Sequence, residues 1–514
     1  MATLSRRAFV KTAMAGAAGT LTARIGGATG LPDLAPLEKA SESSIGKLSL
    51  TEVSRLVRSK KISPVELTRE CLARIEKLNP RLNAFITVTP DSALAQAREA
   101  EAEIQKGHWR GPLHGIPVAL KDLVDTSGVR TTAASGLFKD RIPTEDAEVV
   151  RRLRVGGSVL LGKLNMHEFA YGGSSVISYF GPVRNVWAPD HSAGGSSAGS
   201  AVAVAAQLCF GAIGSDTGGS VRQPAGYCGI VGLKPTYGRV STRGVIPLSW
   251  SLDHLGPMTR TVNDAALMLQ VIAGYDPADT STTDNPVADY TATITEKTSS
   301  LRLGIPRAYF YQGLDPEIQA ALEGALSVLE KLTAGHRDIG PLANSDDYTS
   351  ILDPGRTILA AEAYAYHEQY IAKTPELYHP ETLKRIRSGA DIATTAYIHA
   401  RRQLEEIRRL APGIFDTVDL VITPTAPVPP FAISDLLGDL GTLRPKEILM
   451  LHNTRPFNIL GLPTLSVPCG FTRTGLPIGM QITGPPGGES LVLRLAYAYE
   501  RETDWHNRQP RTDS

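Results

Sequence analysis

The sequence predicts an α/β fold with layers of helix packed around one main sheet. Three observations lead there. Short apolar runs of strand type alternate with longer segments of helical spacing along the chain, the pattern of helix layers on a sheet. The 514 residues are 42% apolar and 20% charged, an ordinary globular composition with length enough for a large buried core. Glycine reaches 48 residues, much of it between 111 and 260, where backbone must approach backbone or ligand closely.

Taken in order, residues 48–60 (LSLTEVSRLVRSK) start at a Ser/Thr cap and keep helical spacing. Pro64 opens a second helix, PVELTRECLARIEKLN, which Asn79-Pro80 is expected to end. Residues 90–107, rich in Ala and Glu, predict a third. Gly115 to Asp122 (GIPVALKD) is a short buried strand running into a lysine, and Val159 to Leu161 has the same character. Ala201 to Leu208 is a small-residue helix after a GGSS turn. The Pro-, Asp- and Thr-rich stretch 275–299 is a linker or surface excursion. Leu301 to Pro306 then predicts a strand, Asp315-Pro316 caps the helix EIQAALEGALSVLEKL, and 395–411 form a basic polar helix. Asp419 to Pro424 and Gly479 to Gly484 are further buried strands, the second leading through Pro485-Pro486 into the last helix.

Bulk properties exclude several function classes. A net charge of +1 offers no basic stripe for nucleic acid. Ser5 to Lys11 (SRRAFVK) and the mild Ala/Gly-rich run to Ala23 resemble a twin-arginine export signal, too short to span a membrane. Residues 1–30 are therefore set apart from the fold, and an exported, periplasmic or secreted protein is expected. Cys71, Cys209, Cys228 and Cys469 show no C-x-x-C pairing and no zinc spacing, so free thiols are expected. His167-Glu168 is not followed by the second histidine of H-E-x-x-H, and neither phosphate-loop pattern occurs. No metal and no cofactor are expected.

Two Ser/Gly loops remain. Gly195-Ser-Ser197-Ala-Gly199 fits G-x-S-x-G, which would make Ser197 an elbow nucleophile. The pattern is weak, and small residues suit any crowded turn into a helix. Ala193 to Ser200 (AGGSSAGS), Gly214 to Ala225 (GSDTGGSVRQPA) and the lysine strand Gly115 to Asp122 together resemble the amidase signature family. Further similarity runs through Val231 to Thr236, Leu255 to Met258 and Gly461 to Pro463, and covers about residues 45–505. Ala198 departs from the glycine common in that family. The resemblance implies a large mixed central sheet with helices on both faces, and a variable substrate-side insertion over about 275–450. It also implies a catalytic triad: Ser220 as nucleophile, Ser196 bridging on a cis peptide, Lys121 as base. Amides of Thr217, Gly218, Gly219 and Ser220 would form the oxyanion hole. The second GGSS, Gly172-Gly173-Ser174-Ser175, falls where the family has a loop beside the acyl site.

The chemistry is coherent in its own right. A serine hydroxyl needs a positioned base, and lysine serves only when neutral, well below its usual pKa of ~10.4. Burial disfavours the ammonium, and Ile116 to Leu120 supply an apolar setting. Gly218-Gly219 leaves backbone amides free to converge on an oxyanion. Asp216 and Arg222 are candidates for holding that loop. The expected function is hydrolysis of amides, and by the same route of anilides, esters or carbamates, through an acyl-enzyme. The alternative is the glutaminase subunit of an amidotransferase, in which Arg385 matches an arginine that holds glutamine's carboxylate. Gly389 to Tyr397 and His399 to Gln403 resemble the hydrolase branch more. A catalytically silent binding protein is the third reading. Residues 340–400 and 425–455 are expected to line the acyl pocket, with Tyr364, Tyr366 and Phe431 as candidate contacts. The expected partner is a small-molecule amide, without nucleic acid or stable membrane insertion; a homodimer is left open.

Overall fold

A computed structural model describes residues 45–342 and 348–512. The twin-arginine segment lies outside the described residues. Among the described residues eleven strands form one sheet. In chain order they are β1 (Phe85–Val88), β2 (Pro117–Lys121), β3 (Val159–Leu164), β4 (Gly211–Ser215), β5 (Val231–Lys234), β6 (Leu255–Thr259), β7 (Leu303–Ile305), β8 (His336–Asp338), β9 (Leu420–Pro424), β10 (Thr464–Phe471) and β11 (Pro477–Thr483). Their spatial order is β1-β3-β2-β4-β6-β5-β10-β11-β9-β7-β8. Parallel and antiparallel neighbours mix: β2 pairs parallel with both β3 and β4, whereas β4–β6 and β10–β11 are antiparallel. The mixed α/β sheet is the fold the sequence led us to expect.

Burial explains the composition of the central strands. Every residue of β2, β3 and β4 is buried, as in sheets covered on both faces, so they read as apolar runs rather than alternating ones. Helices begin where the sequence supplies caps. Ser49 with Glu52 and Ser63 with Glu66 close capping boxes at helices Leu50–Arg58 and Pro64–Leu82, satisfying donors that a first helical turn leaves unpaired.

Pro80 does not end its helix as expected. The helix continues to Leu82 and stops at Asn83 in the left-handed region (φ 53°). Asn79 locks that end by exchanging two side-chain hydrogen bonds with Phe85. The small-residue helix spans Ala198–Ala205, starting three residues before the expected position. Residues 275–299 contain neither helix nor strand. The longest helix among the described residues, Tyr348–Lys373, contains Pro354. Cys71, Cys209, Cys228 and Cys469 are free and buried. Among the described residues no helix is long and apolar enough to cross a membrane.

Candidate active site

The base candidate ends a central strand. Lys121 is the last residue of β2 and has no solvent exposure. Its Nζ lies 2.7 Å from Ser196 Oγ and 2.9 Å from Ser215 Oγ. Burial pulls its pKa down to about 7, with Asp216 and Asp253 opposing the shift; the neutral amine is thus accessible at ordinary pH. Asp122, the next residue, is not its partner. Its carboxylate accepts from the backbone and hydroxyl of Thr132 and faces Lys163 at 3.9 Å, because successive side chains leave a strand on opposite faces.

Ser196 sits in the turn before helix Ala198–Ala205, and the Gly195–Ser196 peptide is cis. A side chain at position 195 would meet Ser175 Oγ at 2.6 Å, so only glycine fits. Ser197 is engaged elsewhere: its hydroxyl donates to the Ser215 carbonyl and accepts from the Ser215 amide at 3.1 and 3.3 Å. It fastens the turn to the end of β4. An elbow nucleophile also needs a histidine later in the chain; His452, which lies downstream, stacks on Tyr309 at 4.0 Å. The Ser197 amide donates to the Ser220 carbonyl at 3.2 Å, which brings the two Ser/Gly loops together.

Ser220 follows β4 in the loop Asp216 to Val221, and 4% of its surface is exposed. Asp216 organises this loop. Its carboxylate accepts from the amides of Gly219 (2.7 Å) and Val221 (3.1 Å), from Arg222 Nε (3.0 Å) and from Asn458 Nδ2 (2.8 Å). Burial alone would raise its pKa, but the Arg222 guanidinium holds it well below the usual carboxylate range. Gly219 departs from the sequence expectation: its amide is bound to Asp216 and so shapes the loop instead of pointing free. Among the described residues, the amides of Thr217, Gly218 and Ser220 have no protein acceptor and remain available to an oxyanion. Gly219 has φ +127°, and a Cβ there would lie 1.9 Å from Thr454 Oγ1.

The second GGSS packs directly behind these loops. Gln223 ties the pieces together, accepting from the Gly195 amide at 2.9 Å and donating to the Gly173 carbonyl at 3.3 Å. Gly172 lies against the His167 ring and Gly173 against Leu451, with no room for side chains. Ser174 is not open to a ligand, since its hydroxyl donates to Glu447 Oε1 at 2.6 Å. Arg385 is engaged through Nη1 only, its Nε and Nη2 being buried without a hydrogen-bond partner among the described residues. It pairs with Glu447 at 2.7 Å and donates to the Tyr171 carbonyl at 2.6 Å.

A cavity of about 280 Å³ opens beside the nucleophile loop, lined by Thr217, Gly218, Tyr171, Leu252, Leu359 and Ile459 among others. Residues from 340–400 and 425–455 contribute to it, as expected. The aromatic candidates do not. Tyr364 and Tyr366 pack against the main core, and Phe431 packs with Ile433 and Leu436. Sequence reading gave no role to Ser215 or Gln223, although both stand inside the quoted motif. Glu447 and Leu451 carried no local signal at all, since only the fold brings them to residues 172–174.

A buried amine, a hydroxyl in contact with it, and a second serine framed by unpaired amides are parts that acyl transfer requires. The family model described as Amidase matches residues 66–493. The chain belongs to the amidase signature family. In Geotalea daltonii, the A subunit of glutamyl-tRNA(Gln) amidotransferase is 42% identical to this family member over 483 residues, covering 90% of this chain and 99% of that one. Among solved structures, the peptide amidase of Stenotrophomonas maltophilia superposes with a TM-score of 0.80 at 32% identity, covering 92% and 100% of the two chains. The 6-aminohexanoate cyclic dimer hydrolase gives a TM-score of 0.83 at 31% identity, with 91% and 100% covered.

Proposed function

We propose that the chain cleaves the carbon–nitrogen bond of a carboxamide through an acyl-enzyme on Ser220, releasing ammonia from a primary amide. The observation that carries this is the buried Lys121 amine 2.7 Å from Ser196 Oγ. Neutral Lys121 takes the Ser196 proton as Ser196 takes that of Ser220, and Ser220 Oγ attacks the carbonyl carbon. The amides of Thr217, Gly218 and Ser220 stabilise the charge on the carbonyl oxygen. Ser196 then protonates the leaving nitrogen and Lys121 restores its proton. Water repeats the relay in reverse and frees the acid.

The curated relatives favour the ammonia-supplying work of an amidotransferase. They match this chain nearly end to end at 40–42% identity, and such work implies partner subunits. One feature of the site favours a second reading, a hydrolase that acts alone. Arg385, which would hold glutamine's carboxylate, has its charge countered by Glu447 at 2.7 Å. Ammonia release from glutamine, and from peptide amides and anilides, by the purified chain separates the two. Glutamine turnover that requires co-purified subunits supports the first; turnover of larger amides by the chain alone supports the second. Failure of Ser220→Ala to abolish covalent labelling by a fluorophosphonate overturns both. Export through the twin-arginine segment is a separate proposal, checked by locating the protein in cell fractions with Arg6 and Arg7 replaced by Lys.

A further inference from the structure

Charge is unbalanced in the acyl cavity. Arg356, Arg444 and Arg455 all line it, and no Asp or Glu does. Arg356 and Arg455 also stand on the wall shared with a second cavity of about 340 Å³, lined by Tyr309, Tyr348 and His452, again without a carboxylate. Two carboxylates lie nearby and both are engaged. Asp353 pairs with Arg356 at 2.8 Å. Glu447 pairs with Arg385 at 2.7 Å and stands 3.9 Å from Arg444. Against Arg356, Arg385, Arg444 and Arg455 there are thus two acidic partners for four cations. The Arg455 side chain has neither ion pair nor hydrogen bond among the described residues, although its stem lies beside the oxyanion loop, where a Cβ on Gly218 would meet its Cγ at 3.6 Å.

Unpaired cations in a half-buried cleft are costly unless an anion completes them. Burial, then the neighbouring Arg444, bring the Arg455 pKa down to about 10, so it stays charged at neutral pH. The cavity that holds Gly218 and Arg455 is also lined by Leu252, Leu352, Leu359 and Ile459, apolar side chains suited to methylene groups.

We infer that Arg455, supported by Arg444 and Arg356, binds a carboxylate at the far end of the substrate's acyl chain. The favoured substrates are half-amides of aliphatic dicarboxylic acids, the side-chain amide of glutamine among them. Arg455 is then a residue that selects for charge. This rests on the acyl cavity assigned above, so its test is independent of turnover. The Ser220→Ala protein is titrated by calorimetry with the half-amide of adipic acid and with hexanamide, its neutral counterpart of equal length. The charged amide binds roughly 10- to 100-fold more tightly, the range of one or two charge-assisted hydrogen bonds. Arg455→Met removes most of that difference and Arg455→Lys keeps part of it. Equal affinities in the parent protein, or an unchanged ratio in Arg455→Met with near-ultraviolet circular dichroism intact, overturn the inference. Absence of turnover by the wild-type enzyme alongside selective binding would instead count against the acyl-enzyme reading.

Discussion

Raising the pH from 6 to 8 is expected to speed acylation of Ser220 about tenfold, after which pH ceases to matter. The cause is Lys121, whose burial lowers its pKa from the ordinary 10.5 to about 7. A base with that pKa is neutral in roughly one molecule in ten at pH 6 and nine in ten at pH 8. With an ordinary lysine roughly one molecule in three thousand would be neutral at pH 7, and the rate would keep climbing tenfold per pH unit to about pH 10. The sign follows from the role: the base works when deprotonated, so activity is lost as pH falls through about 7. The assay is the rate of fluorophosphonate labelling of Ser220 between pH 5.5 and 10, under conditions where the reagent's own hydrolysis is subtracted. A flat profile would show that Lys121 is not the group that titrates. A slope persisting beyond pH 9 would show that burial does not shift it. In Lys121→Met the pH dependence through this range should vanish along with the rate.

Three further outcomes follow from the packing around the site. Asp216→Asn leaves the buried Arg222 without its charge partner and is expected to cost about 3–5 kcal/mol, read from urea unfolding. Gly219→Ala forces the loop away from Thr454, and misplacing one oxyanion donor costs about 10²–10³ in the labelling rate. Ser197→Ala removes hydroxyl bonds to both Ser215 backbone groups, so stability should fall by about 1–3 kcal/mol while labelling stays near the wild-type rate; loss of labelling there would restore the elbow reading.

The parts of this protein legible in the sequence are those whose physics is local. Lys121 stood out because a cation closed an apolar strand, and Ser196 and Ser220 because glycine crowded around them. Caps at Ser49 and Ser63 were readable for the same reason. The arrangement around the loop was partly legible: Asp216 and Arg222 are six residues apart and meet as expected, but Asn458, which completes the Asp216 cage, comes from 242 residues away. Glu447 was illegible in a different way. Its neighbours in the chain say nothing of Ser174 or Arg385, and its carboxylate meets both. Gly219 failed because a glycine next to a nucleophile suggests a free amide, whereas Asp216, three residues earlier, takes it. The pocket aromatics failed because Tyr364 and Tyr366 share a helix with residues that do face the cavity, and position on that helix decides which side each takes.

The parallel pairing of β2 with β4 has an evolutionary corollary. Lys121 closes one strand and the loop of Ser220 begins at the end of its immediate neighbour, so their spacing is guarded by main-chain ladder bonds. The cleft that reads the acyl group is instead built largely from helices between residues 348 and 459. Those helices can be remodelled, lengthened or recharged without touching the ladder. The exception is Arg455–Ile459, whose Asn458 holds Asp216 and so ties that helix to the loop of Ser220.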